Sequence, residues 1–216
     1  MIHKSELTFT LLADGSSDKV LIKILTWIVK QHIPNILVTA KFGDLGRLPN
    51  PPKKLEERIQ TVLAYYTCDI LFVHRDAEKH SLEVREQEVI EAWQKTKDIN
   101  ANSRMIVVIP VRMTEAWLLF NEKSIKIAAG NPNYNDKLSL PSLEHIEKLP
   151  NPKADLHDLI KKASNLSGRK LDKLKIPKRV HVLVDNIDDF SPLRNLSAFQ
   201  KLEEDIKNIL TQHYTP

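Results

Sequence analysis

Residues 69–74 read Asp-Ile-Leu-Phe-Val-His (DILFVH), with four large apolar residues in succession. A sheet with one face in water shows alternating apolar and polar side chains. A central strand of a parallel sheet is instead covered on both faces and carries apolar side chains throughout. The segment therefore predicts a central strand of a parallel sheet.

Further apolar runs on both sides of this segment predict three more strands of the same sheet. They lie at residues 6–13, 36–40 and 105–110. Between the four runs, apolar residues recur at helical spacing, which predicts helices at residues 20–28, 55–66 and 81–97. Because strand and helix alternate as far as residue 120, we predict an α/β fold with a Rossmann-like, doubly wound parallel sheet.

Beyond residue 121 the alternation gives way to short segments with helical character. We predict helices at residues 123–129, 142–149, 154–164 and 196–211. Residues 180–184 (VHVLV) fit either a strand or a buried turn of helix. We therefore divide the chain into an α/β core at residues 1–121 and a mostly helical extension at residues 122–216 that packs on it.

The sequence of 216 residues has the composition of a folded globular protein, since 42% of its residues are apolar. One cysteine, Cys68, excludes an internal disulfide and is interpreted as a small buried side chain. No apolar run reaches the roughly 18–20 residues of a membrane span, and the first residues (MIHKSELTF) lack the plan of a signal peptide. We therefore expect a cytoplasmic protein without a membrane anchor.

The charge balance is mildly basic, with 32 basic and 28 acidic residues and a net charge of +4. Such a balance permits binding to nucleic acid without requiring it. Two basic stretches are candidates for contacts with a phosphate backbone: a loop with Lys41, Arg47, Lys53 and Lys54, and residues 161–178. Both also fit an ordinary solvated surface.

Acidic residues follow three of the four predicted strands. Asp14 follows the first strand, Asp76 and Glu78 follow the third, and Glu115 follows the fourth. Ligands of open α/β sheets bind beyond the carboxyl ends of the strands, so we expect these four side chains at one edge. Carboxylate oxygens without soft ligands suit Mg²⁺ or Mn²⁺, which would also relieve their mutual repulsion.

Each acid also has a structural interpretation. Asp14 fits a turn residue that precedes a helix. Ser16 or Ser17 is expected to cap that helix. Glu115 fits a partner of the helix dipole in a short helix capped by Thr114. Nearby cations could stabilise charge at a phosphate or neutralise the acids; the candidates are Arg75, Lys79, Arg112, Lys153 and Arg169.

Three segments together resemble Toprim domains. LLADGSSDKVLIKIL (residues 11–25) is similar to their opening acid-glycine motif, and DILFVHRDAEK (residues 69–79) resembles their Asp-x-Asp strand end. PVRMTEAWLLF (residues 110–120) resembles a segment of small Toprim-like families near the OLD nucleases of bacterial phage-defence operons. Two positions depart from the pattern: Asp14 stands where Glu is usual, and Glu78 where the second Asp is usual. An alternative, ranked lower, aligns His74-Arg75-Asp76 with the Asp-x-Asp motif, so that the imidazole of His74 takes the place of one carboxylate.

The resemblance implies metal-dependent hydrolysis of phosphodiester bonds by a nuclease acting in phage defence. It assigns Asp14, Asp76, Glu78 and Glu115 to Mg²⁺ or Mn²⁺. Arg75 and Arg112, which are close in sequence to these acids, are the candidate cations beside the reaction. The resemblance also implies nucleic acid as the substrate, with DNA favoured over RNA, and an ATPase as a partner protein.

Two other functions stay open from the sequence. The chain could be a non-catalytic Toprim-like regulatory or adaptor module, or a metal-dependent phosphatase of small molecules that uses Asp14 or Asp76. The chain has no GxxxxGK[ST] loop and no GxSxG segment, which argues against a P-loop enzyme and a serine hydrolase. The oligomeric state is also open, and a homo-oligomer is allowed.

Overall fold

A four-stranded, wholly parallel sheet lies at the centre of the fold, as predicted. The computed structural model describes residues 5–96 and 103–214. The strands are Glu6–Leu12 (β1), Leu37–Phe42 (β2), Ile70–His74 (β3) and Arg104–Val108 (β4), and their order across the sheet is β2-β1-β3-β4. The Rossmann-like α/β class is therefore confirmed.

The central position of β3 explains its apolar sequence. All five of its residues are buried, and it pairs with β1 on one side and β4 on the other. The outer strand β2 has a paired neighbour only in β1 within the described residues, and none of its six residues is fully buried. Burial of β3 on both faces of the sheet thus explains why its sequence is more apolar than that of β2.

Helices α1 (Leu21–His32), α2 (Leu55–Tyr65) and α3 (Leu82–Gln94) connect the strands. Apolar side chains of α2 and α3 pack with Leu12 of β1 and with alternate residues of β3 in one core cluster, which also contains Cys68. Burial raises the pKa of the Cys68 thiol, so this side chain is a protonated core residue. Predicted residue 97 of the third helix lies outside the described residues.

Two predicted helix caps are wrong. The segment after β1 is a 3₁₀ helix, Ser16–Val20, whose cap is Gly15 rather than a serine. The carboxylate of Asp18 accepts a hydrogen bond from the Gly15 N–H at 3.0 Å. Asp18 is the third residue of this helix, and an acid at that position can reach back to the free backbone amide of the cap residue. Thr114 is likewise the first residue of a 3₁₀ helix, Thr114–Leu118, whose cap is Met113.

The chain forms two compact units. One consists of residues 1–109 and 201–216, and the other of residues 110–200. The last helix, α9 (Ser197–Tyr214), passes from the second unit into the first. The boundary expected at residue 121 rests on sequence pattern alone and stays a prediction.

The second unit is helical. Its helices are α4 (Glu122–Ala128), α5 (Leu143–Ile146), α6 (Pro152–Ser164), α7 (Gly168–Asp172) and α8 (Ile176–Asp185). Residues 180–184, which fitted either a strand or a helical turn, belong to α8. No helix among the described residues is long and apolar enough to span a membrane.

Candidate functional site

The carboxyl ends of β1 and β3 meet at the point where the strand order reverses. Leu12 at the end of β1 lies opposite Val73 in β3, so the segments that follow the two strands leave the sheet side by side. Such a switch point is the usual ligand position in open parallel sheets. Asp14 and Asp76 follow these two strands.

Asp14 is neutralised by two arginines. Its Oδ1 accepts a hydrogen bond of 2.8 Å from Nη1 of Arg58, a residue of α2. Its Oδ2 lies 2.9 Å from Nε of Arg75, as a charge contact outside hydrogen-bond geometry. Both arginine side chains are largely buried, whereas the Asp14 side chain is 43% exposed, so the ion pairs lie at the edge of the solvent. The predicted ligand Asp14 and the predicted cation Arg75 are therefore in direct contact.

These pairs continue into a network of alternating charges. Arg75 donates to Glu88 at 2.7 Å, and Glu88 accepts from Arg85 at 2.9 Å. Arg85 in turn lies 3.3 Å from the carboxylate of Glu78, whose side chain is 61% exposed. The network contains three arginines and three acids: Arg58, Asp14, Arg75, Glu88, Arg85 and Glu78. Two of the four predicted carboxylate ligands, Asp14 and Glu78, therefore have arginine partners from the protein itself.

Asp76 has a different environment. Its Oδ1 lies 3.3 Å from Nε2 of His74, and Nδ1 of the same imidazole lies 3.7 Å from Oδ2 of Asp18. His74 is the last residue of β3 and is buried, as is Asp18. One buried imidazole thus has a carboxylate beyond each ring nitrogen, and the Asp76 side chain is 28% exposed and accessible to a ligand.

Asp18 is not among the site residues predicted from the sequence. The structure makes it a member of this cluster, because the 3₁₀ turn after β1 directs its carboxylate back toward the sheet edge. The available signal was an acid in the turn that directly follows β1.

Glu115 lies in the second unit and is also buried. Its carboxylate is 3.3 Å from Nζ of Lys153, a residue of α6. Burial lowers the pKa of His157, one helical turn beyond Lys153, and the negative charge of Glu115 partly opposes that shift. The sequence indicated Lys153 as a candidate cation; His157 was missed because nothing in its local pattern marks it.

The backbone is strained at two predicted site residues. Among the described residues, only three other than glycine have a left-handed backbone: Glu78 (φ 53°), Arg112 (φ 67°) and Asn165 (φ 52°). Asn tolerates this conformation better than Glu or Arg. Such positions cost about 1–3 kcal/mol each and are concentrated at functional sites. Their presence directly after β3 and β4 favours a functional role for these two loops.

The predicted residues are thus distributed over both units. Asp14, Arg75, Asp76 and Glu78 belong to the first unit, and Arg112 and Glu115 to the second. A common edge of all four carboxylates stays a prediction. Within residues 5–96 and 103–214, no three His, Cys, Asp or Glu side chains are arranged to hold a metal ion. The donor types suit Mg²⁺ or Mn²⁺, but a cation at Asp14 or Glu78 would have to displace a guanidinium.

The pairing of Asp14 leads to a prediction on stability. Asp14→Asn is expected to lower the free energy of unfolding by about 1–3 kcal/mol, because it leaves the largely buried Arg58 and Arg75 without their shared acid. Arg58→Gln is expected to cost less, about 0.5–1.5 kcal/mol, because Asp14 is partly exposed and keeps Arg75. Urea unfolding followed by circular dichroism measures these differences.

Glu57→Gln is the matched control, because Glu57 belongs to the same helix as Arg58. It breaks an exposed ion pair in which the Glu57 carboxylate lies 3.8 Å from Nζ of Lys54. We expect that change to cost less than about 0.5 kcal/mol. Unchanged stability in Asp14→Asn together with weaker Mn²⁺ binding would contradict the structural role and make Asp14 a metal ligand.

Comparison with known proteins finds no family model, no curated protein and no solved structure that matches this chain. The resemblance to Toprim domains therefore rests on the three segments at residues 11–25, 69–79 and 110–120.

Proposed function

We propose that this protein is a metal-dependent nuclease that hydrolyses phosphodiester bonds, with Asp76 as the central carboxylate of the first unit. The observation that supports this proposal is the cluster at the sheet switch point, where buried His74 lies between Asp18 and Asp76. A parallel sheet that brings two acids and an imidazole to its ligand-binding edge favours a chemical role over a purely structural one.

The chemistry assigned to the chain follows from these contacts. Bound Mg²⁺ or Mn²⁺ would supply Lewis-acid activation of the phosphate and of water. We propose Asp76 as a ligand of the ion in the first unit, whereas the same role for Glu115 is implied by the resemblance alone. His74, whose Nε2 lies 3.3 Å from Asp76, would orient the Asp76 carboxylate, and the charge of Asp18, 3.7 Å from the other ring nitrogen, would favour this position of the imidazole. Arg75 is the proposed cation for the charge that develops on the phosphate, and Arg112 is a candidate from its position in the sequence alone.

One observation favours the second candidate, a non-catalytic module. Asp14 and Glu78, the two residues that depart from the Toprim pattern, are both in the arginine network. Acids neutralised in this way need no metal, and such a domain would serve as a regulator or adaptor. The nuclease is preferred because Asp76 lies 3.3 Å from the buried imidazole of His74 and is partly accessible. A phage-defence role and an ATPase partner are implied by the resemblance alone.

The proposal predicts nucleic-acid cleavage that depends on the metal. Purified protein is incubated with plasmid DNA, linear duplex DNA and single-stranded RNA in Mg²⁺, in Mn²⁺ and in EDTA, and the products are separated on gels. We expect cutting of DNA in at least one metal, its loss in EDTA, and its return when metal is added in excess, because the ion activates the phosphate and water.

Three results would decide against the nuclease. Binding without cutting in either metal would favour the non-catalytic module. Turnover of p-nitrophenyl phosphate without cutting of DNA or RNA would favour the phosphatase. Cutting that is unchanged by EDTA would exclude a metal role and point to a contaminating activity.

A further inference from the structure

The basic segment, residues 161–178, carries all of the excess positive charge of the chain. It contains seven basic residues and one acid, a net charge of +6, whereas the whole chain has a net charge of +4. All other residues together therefore have a net charge of −2. A mildly basic composition thus conceals one strongly basic stretch on an otherwise slightly acidic protein.

The structure presents this charge to solvent on three consecutive helical pieces. The basic segment runs from the last turn of α6 through α7 to the first turn of α8, entirely within the second unit. Its seven basic side chains are all exposed: Lys161, Lys162, Arg169, Lys170, Lys173, Lys175 and Lys178. Asn165, whose backbone is left-handed, ends α6 before α7 begins.

Most of these charges are not paired with a carboxylate of the described residues. Lys161 pairs with Asp158 at 3.0 Å. Across the described ranges 5–96 and 103–214, no carboxylate forms an ion pair with Arg169, Lys170, Lys173, Lys175 or Lys178. Like charges held close together repel each other, so this surface is stabilised by binding a polyanion.

We propose that the basic segment binds the phosphate backbone of nucleic acid without regard to sequence. Six of its seven cations are lysines, which are flexible point charges suited to phosphates rather than to planar recognition of bases. An anionic membrane fits less well, since an interfacial helix needs an exposed apolar face. The apolar residues 171, 174 and 176 are half-buried, and Leu166 is the one large hydrophobic residue among the described residues of the segment that counts as exposed.

This inference rests on the proposed function only for the choice of nucleic acid as the partner. Binding is therefore measured without catalysis, by fluorescence anisotropy of a labelled DNA duplex and a labelled RNA strand in EDTA. The test variant carries Lys170→Gln, Lys173→Gln and Lys175→Gln. The control removes three exposed lysines from elsewhere in the same unit, by Lys123→Gln, Lys137→Gln and Lys148→Gln.

We expect the test variant to bind DNA at least about tenfold more weakly than the control, with a salt dependence reduced by about one phosphate contact per lysine. Equal affinity of the two variants would overturn the inference. So would an unmodified protein that binds neither DNA nor RNA, or that binds phosphatidylserine vesicles in their place. Absence of cleavage in metal would count against the proposed nuclease and leave this binding result intact.

Discussion

Asp76→Asn is expected to lower the rate of metal-dependent cleavage by about 100-fold or more, since even outer-shell partners of a metal contribute 10–100-fold. The substitution keeps the size of the side chain and removes the charge that would hold the ion. Asp76 is 28% exposed at the switch point, so an incoming cation can reach it from solvent. The measurement is the initial rate of plasmid cutting in Mg²⁺ and Mn²⁺, combined with Mn²⁺ binding by calorimetry.

The control is Asp188→Asn, which makes the same chemical change at an exposed position. It is expected to leave cleavage and Mn²⁺ binding unchanged. The melting temperature of Asp76→Asn is recorded as well, because Asp76 lies beside the buried imidazole of His74. Full cleavage activity in a folded Asp76→Asn variant would remove Asp76 from the proposed site.

Trp117→Ala is expected to lower the free energy of unfolding by about 3–5 kcal/mol, the usual cost of removing a large aromatic side chain from a core. Trp117 is completely buried in the second unit and meets Phe199 edge to face, with ring centroids 5.5 Å apart. Such a loss is a large part of the 5–15 kcal/mol by which proteins are normally stable. Thermal and urea unfolding followed by circular dichroism measure it.

Tyr65→Ala is the control for this prediction, because Tyr65 is an aromatic residue with 68% of its surface exposed. Its removal is expected to cost less than about 0.5 kcal/mol. Trp117→Phe adds a second comparison. The buried indole N–H of Trp117 has no hydrogen-bond partner among the described residues. Phe is therefore expected to cost clearly less than Ala. A loss below about 1 kcal/mol in Trp117→Ala would contradict a tightly packed core at this position.

The elements of the α/β core could be predicted because their signals are local. Four apolar residues in succession marked β3, and a repeat of apolar positions marked α1. The strand ends differ from the predicted ones by one or two residues, as expected for boundaries set by hydrogen bonding rather than by composition. The segment at residues 180–184 was ambiguous because a short apolar run fits both a strand and a helix.

The environment of the candidate site could not be predicted in the same way. Asp14 and Arg58 are 44 positions apart in the chain, yet their side chains form a hydrogen bond. The sequence placed acids after the strands but contained no sign that Arg58 and Arg85 would neutralise two of them. Ion pairs of this kind depend on which helices pack over which strands, and that is a property of the folded chain.

The sequence alone therefore determined the parallel α/β class, the buried central strand at residues 70–74, and the presence of acids after β1, β3 and β4. Apolar periodicity is sufficient for these conclusions because burial imposes it residue by residue. Only the tertiary structure decided the partner of each charge. It paired Asp14 and Glu78 with arginines and placed His74 between Asp18 and Asp76. Electrostatic pairing acts over a few ångströms in space, and folding brings distant parts of the chain to that distance.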